Sequence, residues 1–284
     1  MNDNKNQVLG GTLYLVTTPI GNMSDITYRA IKVLNEVDFI AAEDTRNSAK
    51  LLRYFDISKE LVSYHEHNKK SRGEEIISRL QNGESCALVT DAGTPAISDP
   101  GEDLVRLCAE NNIPVTATPG VSAAITALTL SAIDTRYFVF EGFLPVLKQE
   151  RKERLNFLQN ENRTIIIYEA PHKLKKTLDD LYNILGERKI SLCRELTKLN
   201  EEVMRTSLSE ACKYYDVNSP RGEYVLVIEG TKEQNHFAEF WTNMTIIEHV
   251  DYYITTGISK NDAIKAAAKD RGVPKNVVYN EYVK

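Results

Sequence analysis

Several loops of this chain carry residues whose types could bind a ligand or move a proton. The longest, DAGTPAISDPG, begins at Asp91 and ends at Gly101. Backbone this rich in glycine and proline is costly unless it must approach another group closely, so we expect a ligand there. The loop has no lysine, which excludes a phosphate-binding Walker loop. The carboxylate of Asp91 could accept hydrogen bonds from a cationic or hydroxyl-bearing ligand.

A second loop combines two acids with a cation in the segment Glu43-Asp44-Thr45-Arg46, directly after an apolar run. Carboxylates can act as general bases, and an arginine can hold a carboxylate or a phosphate. The alternative is structural, because Asp44 or Thr45 can cap a helix whose dipole favours acids at its start. For this motif alone, the helix cap is the better supported interpretation.

Two further loops of the first half give weaker signals. The segment Thr18-Pro19-Ile20-Gly21-Asn22 predicts a tight turn that frees backbone N–H groups for a ligand. It does not match G-x-G-x-x-G, so a dinucleotide-binding fold is poorly supported. The segment from His65 to Lys70 contains His-x-His without a third ligand at a suitable spacing, so we interpret it as a polar loop rather than a metal site.

The second half contributes three segments of interest. Ser122, Ala123 and Ala124 are small residues at a predicted helix start, where they either let a flat ligand lie against the helix or allow close packing; both interpretations stay open. The other two segments are the one that begins at Tyr168 and the one from 194 to 198.

The elements that position these loops alternate along the chain. Short apolar runs and helical periodicity follow one another from Thr12 to Thr118, which predicts βαβ units and a parallel sheet with helices on both faces. Ligands of such sheets bind beyond the carboxyl ends of the strands, where these loops lie. Between 189 and 229 strand follows strand, which predicts a mixed sheet. We therefore predict an α/β fold with domains 1–119 and 120–233 and a helical module, 234–284.

Net charge, cysteine spacing and the length of apolar runs limit the classes of protein to which the chain can belong. The 284 residues carry a net charge of -5, which argues mildly against a nucleic-acid binder. The segment from Lys260 to Lys284, however, contains six basic residues and three acidic ones. This local excess of positive charge predicts contact with RNA. The four cysteines form no C-x-x-C pair, and the polar segment Met1 to Gly10 resembles no signal peptide. No apolar run is long enough to span a bilayer, so we expect a cytoplasmic protein without membrane contact.

Nine blocks occur in order between Leu13 and Gly230, and together they carry a family resemblance. They are LYLVTTPIGNMSDIT, IAAEDTRNSAKLL, YHEHN, LVTDAGTPAISDPG, TPGVSAAITAL, FEGFLP, YEAPHK, CRELTK and GEYVLVIEG. The chain resembles the tetrapyrrole methylase superfamily and, within it, the branch that modifies small-subunit ribosomal RNA. Tetrapyrrole-modifying members usually carry Gly-Asp-Pro where this chain has Asp91-Ala92-Gly93, a departure that fits the ribosomal branch.

This resemblance implies two α/β domains with S-adenosylmethionine in the cleft between them, and a homodimer. It implies methylation of the ribose 2′-oxygen of a decoding-centre cytidine in 16S rRNA. The three helices of the last segment resemble the helix-turn-helix-like tail of that branch. The cofactor positions of the superfamily fall on Pro19, Asp91, Ala92, Gly93, Ile97, Ser122, Ala123, Tyr168 and Leu196.

Methyl transfer to a ribose hydroxyl requires a group that accepts the hydroxyl proton. A sulfonium methyl is already electrophilic, so alignment and desolvation do most of the work, but a ribose hydroxyl is a poor nucleophile. Glu43 and Asp44 are our leading candidates for the base, with Arg46 holding a carboxylate or a substrate phosphate. Lys198 is a second candidate if burial lowers its pKa.

Two other functions compete with this one. A methylase of a small tetrapyrrole would have the same fold and a different substrate, and the helical tail and the loop at Asp91 favour RNA over it. The second competing function is that of a non-catalytic RNA-binding protein in ribosome assembly. The loop from Asp91 to Gly101 argues against it, since a protein that only binds RNA needs no loop for a cofactor.

Overall fold

The computed structural model describes residues 7–231, 241 and 243–283, and the elements given below belong to this part of the chain. The chain folds as two compact units, Met1–Thr231 and Lys232–Lys284. The predicted start of the helical module at Gln234, the first six residues and Lys284 lie outside the described residues.

The first sheet is the parallel sheet that the sequence predicts. Its strands are β1 (Leu13–Val16), β2 (Phe39–Ala42), β3 (Glu60–Ser63), β4 (Cys86–Val89) and β5 (Val115–Thr118). They are ordered β3-β2-β4-β1-β5, and every pairing is parallel. Strands β2 and β4 are neighbours and wholly buried, as their continuous apolar runs require. Their carboxyl ends, which lead to Glu43 and Asp91, therefore lie side by side.

Helices cover both faces of this sheet. They are α1 (Tyr28–Glu36), α2 (Thr45–Tyr54), α3 (Lys69–Gln81) and α4 (Gly101–Glu110). Alternate residues of β2 enter different cores, because successive side chains of a strand point to opposite faces. Phe39 packs with residues of α3 and α4, whereas Ile40 packs with residues of α1 and α2.

The second sheet is mixed, which confirms the second half of the fold prediction. Its strands are β6 (Phe138–Phe143), β7 (Thr164–Glu169), β8 (Lys189–Arg194), β9 (Glu202–Ser207) and β10 (Tyr224–Ile228). The helices of this half are α5 (Ala123–Leu130), α6 (Lys148–Leu158), α7 (Pro171–Leu185) and α8 (Leu208–Val217). The order is β6-β7-β10-β8-β9, with β6 parallel to β7 and the other pairs antiparallel. The predicted boundary at residues 119 and 120 falls between β5 and α5 and stays a prediction.

Two local differences separate the sequence prediction from the structure. Helix α8 was not predicted; Ser207 caps it by accepting the N–H of Glu210, and Leu208 and Tyr215 are buried. Helix α3 begins at Lys69, within the segment interpreted as a polar loop, because the side chain of Asn68 closes that loop.

The second unit is a three-helix module with a core of its own. Its helices are α9 (Ile246–Thr255), α10 (Lys260–Asp270) and α11 (Lys275–Val283). Val250, Ile264 and Val278 are among its fully buried residues. Arg271, one of the six basic residues counted at this end, bonds inward to the backbone oxygens of Met244 and Thr245. The charge available to a phosphate is therefore smaller than the sequence indicates. No helix of the described part of the chain is both long and apolar enough to cross a bilayer.

Candidate active site

A cavity of about 340 Å³ lies within the first unit, where loops of the two sheets meet. Its volume is in the range of small-molecule sites. Eight of the nine predicted cofactor positions line it: Asp91, Ala92, Gly93, Ile97, Ser122, Ala123, Tyr168 and Leu196. Pro19 is not among the lining residues, but its neighbour Ile20 is.

Backbone pairing fixes the wall that the first sheet contributes. The N–H of Thr18 donates to the carbonyl of Gly93 at 2.9 Å, and the N–H of Gly93 donates back at 3.0 Å. Gly93 has φ +86°, which favours glycine. The N–H of Asn22 donates to Thr197 Oγ1 at 3.2 Å. The expectation that this turn leaves its N–H groups to a ligand is therefore wrong for Thr18 and Asn22.

The loop from Asp91 to Gly101 is held in a strained conformation by one carboxylate. Asp99 Oδ1 accepts the N–H groups of Ala96 at 3.0 Å and Gly101 at 2.7 Å. Ala96 and Ser98 have φ of 66° and 64°, which is uncommon for residues other than glycine and clusters at functional sites. Between them, the half-exposed side chain of Ile97 lines the cavity.

Tyr168 makes several of the contacts in the part of the cavity wall that comes from the second half of the chain. Its hydroxyl accepts the N–H of Ala124 at 3.1 Å, in the role of a cap for α5, whereas the side chain of Ser122 makes no cap hydrogen bond. The rings of Phe140 and Phe143 contact Tyr168 edge-on. Ser122 lines the cavity while Ala124 is buried in the core, so the small residues of this segment serve both interpretations.

An ion cluster closes the cavity beside β8 and β10. Lys198 Nζ contacts Glu195 Oε1 at 2.9 Å and Glu223 Oε2 at 2.7 Å. Burial alone would lower the pKa of Lys198, but the hydrogen bonds and charges of Glu223 and Glu195 outweigh it, and the pKa is raised. The condition for Lys198 to act as a base is thus not met, and it is a cation at neutral pH.

The predicted acidic segment lies beside the cavity rather than in its wall. Asp44 caps α2 by accepting the N–H of Arg46 at 2.8 Å, which confirms the structural interpretation. The guanidinium of Arg46 also bonds the Asp44 carboxylate at 2.7 Å. These side-chain and backbone bonds from Arg46 lower the pKa of Asp44 to about 2. Such a carboxylate is a weak proton acceptor at neutral pH, which argues against Asp44 as the base.

Two hydrogen bonds connect this segment to the cavity wall. Thr90 Oγ1 donates to Glu43 Oε2 at 2.8 Å, and Asn47 Nδ2 donates to Asp91 Oδ2 at 3.2 Å. Thr90 and Asp91 both line the cavity. Glu43 and Asn47 thus reach the site through partners that directly follow β4.

Sequence reasoning missed three acids in the wall: Glu169, Glu195 and Glu223. Glu169 is buried and accepts the hydroxyl of Thr177 and the N–H of Ala170. The available signal was its position after the buried run TIIIY, at the end of β7. Among the described residues, no group of His, Cys, Asp or Glu is arranged to hold a metal ion.

Comparison with known proteins gives the family. The model of the Tetrapyrrole (Corrin/Porphyrin) Methylases matches residues 12–212. The chain belongs to this family. Among relatives of this tetrapyrrole methylase, Ribosomal RNA small subunit methyltransferase I of Halalkalibacterium halodurans is 50% identical over 273 residues, with 96% of this chain and 94% of that protein covered. The protein of the same name from Bacillus subtilis is 48% identical over 274 residues, with the same shares covered.

Solved structures support the fold of the tetrapyrrole methylases. A diphthine synthase matches with a TM-score of 0.59 and 12% identity over 81% of this chain and 93% of that one. The uroporphyrin-III C-methyltransferase of Thermus thermophilus, complexed with S-adenosyl homocysteine, matches with a TM-score of 0.55 and 16% identity over 77% of this chain and 97% of that one. At these identities the likeness shows the fold alone.

Proposed function

We propose that this tetrapyrrole methylase transfers a methyl group from S-adenosylmethionine to ribosomal RNA, at the ribose 2′-oxygen of a decoding-centre cytidine in 16S rRNA of the small subunit. One observation carries the proposal: relatives 41% to 50% identical, which this chain covers almost entirely, bear the name Ribosomal RNA small subunit methyltransferase I. The cytidine and its 2′-oxygen come from the sequence resemblance.

The cavity fits the proposed cofactor. Apolar side chains such as Ile97 and Leu196 offer surface to a flat base, and the carboxylates of Glu169 and Glu195 suit the cationic ammonium and sulfonium groups. When bound, the cofactor supplies an electrophilic methyl group. We assign its binding to seven of the lining positions predicted from the sequence, which are Ala92, Gly93, Ile97, Ser122, Ala123, Tyr168 and Leu196. Pro19 turns the chain so that Ile20 faces the cavity, and the eighth lining position, Asp91, is assigned to the acceptor side of the site.

The chain's own residues align the reactants and exclude water, which accounts for much of a methyl transfer. We propose that Glu43, Asp44 and Arg46 form the acceptor side of the site. Arg46 is well placed for an RNA phosphate, because its side chain is 86% exposed and the Asp44 carboxylate fixes the direction of its guanidinium. Lys198, held as a cation by two carboxylates, shapes the opposite wall.

A labelling experiment tests the proposal. The protein is incubated with methyl-labelled S-adenosylmethionine and, separately, with unmethylated 30S subunits, free 16S rRNA and a porphyrin precursor. We expect label in the RNA or the particle, recovered after nuclease digestion as 2′-O-methylcytidine. Label only in the porphyrin precursor would establish a small-molecule methylase instead. RNA binding without label in any acceptor would support the non-catalytic alternative.

We also propose that the protein works in the cytoplasm as a homodimer, as the resemblance implies. Light scattering should give twice the chain mass of 32.1 kDa at micromolar concentration. A single-chain mass at every concentration would contradict the dimer.

A further inference from the structure

The three carboxylates at the ends of β2 and β4 are in different situations. Asp44 is committed to Arg46 and to the start of α2. Glu43 accepts the hydroxyl of Thr90 and is not among the residues that line the cavity. Asp91 lines the cavity, and its carboxylate is exposed there. A general base must reach the proton it removes, so of these three Asp91 has the required position.

Asn47 gives the Asp91 carboxylate a fixed orientation. It lies in the first turn of α2, and its amide donates to Asp91 Oδ2 at 3.2 Å across 44 residues of sequence. The pairing of β2 with β4 brings the two together, since Ala42 lies opposite Val89. The Asp91 carboxylate also receives a backbone hydrogen bond from Asp44. An ionised carboxylate has about four lone-pair sites, so these two hydrogen bonds leave it able to accept the hydrogen of an RNA hydroxyl in the cavity.

We propose that Asp91 is the catalytic residue that takes the proton of the attacking RNA hydroxyl and that Asn47 is the positioning residue that holds its carboxylate. This inference rests on the proposed function. In the step, the hydroxyl oxygen forms a bond to the methyl carbon while the carbon–sulfur bond breaks and leaves its electron pair on sulfur. The hydroxyl proton passes to Asp91, which later releases it to water.

The surroundings of Asp91 favour this role. Burial raises the pKa of Asp91, the hydrogen bond from Asn47 lowers it, and the charges of Glu43 and Asp44 raise it again, with a net increase. A carboxylate of raised pKa is the stronger base, because proton transfer improves as the pKa of the acceptor approaches the working pH. The cation Arg46 also faces Asp91, while Glu169, Glu195, Lys198 and Glu223 line the same cavity.

Two substitutions should move the pH profile in opposite directions. Only ionised Asp91 accepts a proton, so kcat/KM falls on the acid side as Asp91 is protonated. Asn47→Leu removes a donor to the ionised form, so the acid limb should move up by about one pH unit. Glu43→Gln removes a negative charge and keeps an acceptor for Thr90, so the acid limb should move down. A purely structural role for both residues would predict no such opposition.

The matched control is Asn35→Leu. Asn35 is an exposed asparagine of α1 whose amide donates only to the carbonyl of Ile31, in its own helix. Its replacement should leave the acid limb where it is. The same displacement in Asn35→Leu as in Asn47→Leu would overturn the positioning role.

The charge on Asp91 is tested directly by Asp91→Asn. We expect kcat to fall by about 100- to 10,000-fold, the usual contribution of a general base, while calorimetry gives a cofactor affinity within a few fold of the native protein. A loss of cofactor affinity with native kcat at saturation would overturn the proposal and make Asp91 a cofactor ligand. Carboxyl NMR of the free protein should show the pKa of Asp91 rising in Asn47→Leu, and an unchanged pKa would contradict the Asn47 assignment. This titration needs no RNA, so failure of the proposed function, seen as no methyl transfer by the native protein, is a separate result.

Discussion

Two glycines with the same positive φ allow the ion cluster of the cavity to be tested. Gly222 and Gly186 both have φ +74°, where an added side chain is strained. A Cβ on Gly222 would lie 2.4 Å from Glu195 Cγ and 2.7 Å from its Oε1. A Cβ on Gly186 would meet no atom within 4 Å. Alanine at either position therefore strains the backbone, and at Gly186 the ψ of -161° lies in a region that essentially only glycine adopts. Of the two alanines, only the one at position 222 displaces Glu195.

The cost of each change can be worked out. A sparsely populated backbone conformation at positive φ costs a non-glycine residue about 1–3 kcal/mol, and both variants bear a cost of this kind. Gly222→Ala also overpacks the site, which adds about 1–3 kcal/mol. The displaced carboxylate of Glu195 holds Lys198 Nζ and the N–H of Glu223, at 2.9 Å and 3.0 Å. We therefore expect Gly222→Ala to lose about 1–3 kcal/mol of stability beyond its backbone strain, because only this alanine meets Glu195.

Urea unfolding and calorimetry with S-adenosylmethionine measure the two effects. Gly186→Ala should bind the cofactor with native affinity, whereas Gly222→Ala should bind about tenfold more weakly, a change of about 1.4 kcal/mol, because Glu195, Leu196 and Lys198 line the cavity. A loss of stability in Gly222→Ala no larger than the backbone strain of about 1–3 kcal/mol would refute the steric reasoning. Native affinity of Gly222→Ala for S-adenosylmethionine would show that the ion cluster does not contribute to cofactor binding.

Three other predictions follow from the contacts. Tyr168→Phe leaves the N–H of Ala124 without its acceptor, so the protein should lose about 1 kcal/mol of stability in urea unfolding and bind the cofactor more weakly; unchanged values for both would contradict the capping role. Because bonds from Arg46 lower the pKa of Asp44 to about 2, below its unfolded value, its stabilising effect is present above about pH 4 and is lost as the pH falls toward 2. The stability gap between the native protein and Asp44→Asn should therefore narrow from pH 6 to pH 3, and a constant gap would show that ionisation is irrelevant. Removal of residues 234–284 should spare cofactor binding, since the first unit has its own cores, and should weaken binding to 30S subunits at low salt; equal affinity would exclude RNA binding by the module.

Much of the fold could be predicted because its signals are local. Buried strands such as β2 and β4 are continuous apolar runs, and the alternation of such runs with helical periodicity predicted the parallel sheet. The cap at Asp44 also depends only on its neighbours, since its partner Arg46 is two residues away. Helix α8 was missed because its start at Leu208 directly follows the end of β9, with no glycine or proline to mark the change.

The site was predicted less completely, because its chemistry depends on contacts between distant residues. The pKa of Lys198 is raised with the help of Glu223, which lies 25 residues away on the loop before β10. Asn47 meets Asp91 only because β2 and β4 are neighbours in the sheet. Neither the order of the strands nor their register can be read from periodicity, so the sequence marked the loops without showing which side chains would meet.

The strained loops at the cavity have a consequence for engineering. Ala96 and Ser98 from the first half, and Glu195 and Thr197 from the second, all have φ between 50° and 66°. Glycine at any of them would relieve strain of about 1–3 kcal/mol, so a search for heat-resistant variants would select such changes. The relaxed chain would also explore more conformations at the cavity, and it would lose conformational entropy when the cofactor orders it, which weakens binding. We expect thermostability gained at these four positions to come at the expense of binding, and stabilising changes are better sought in the helices away from the cavity.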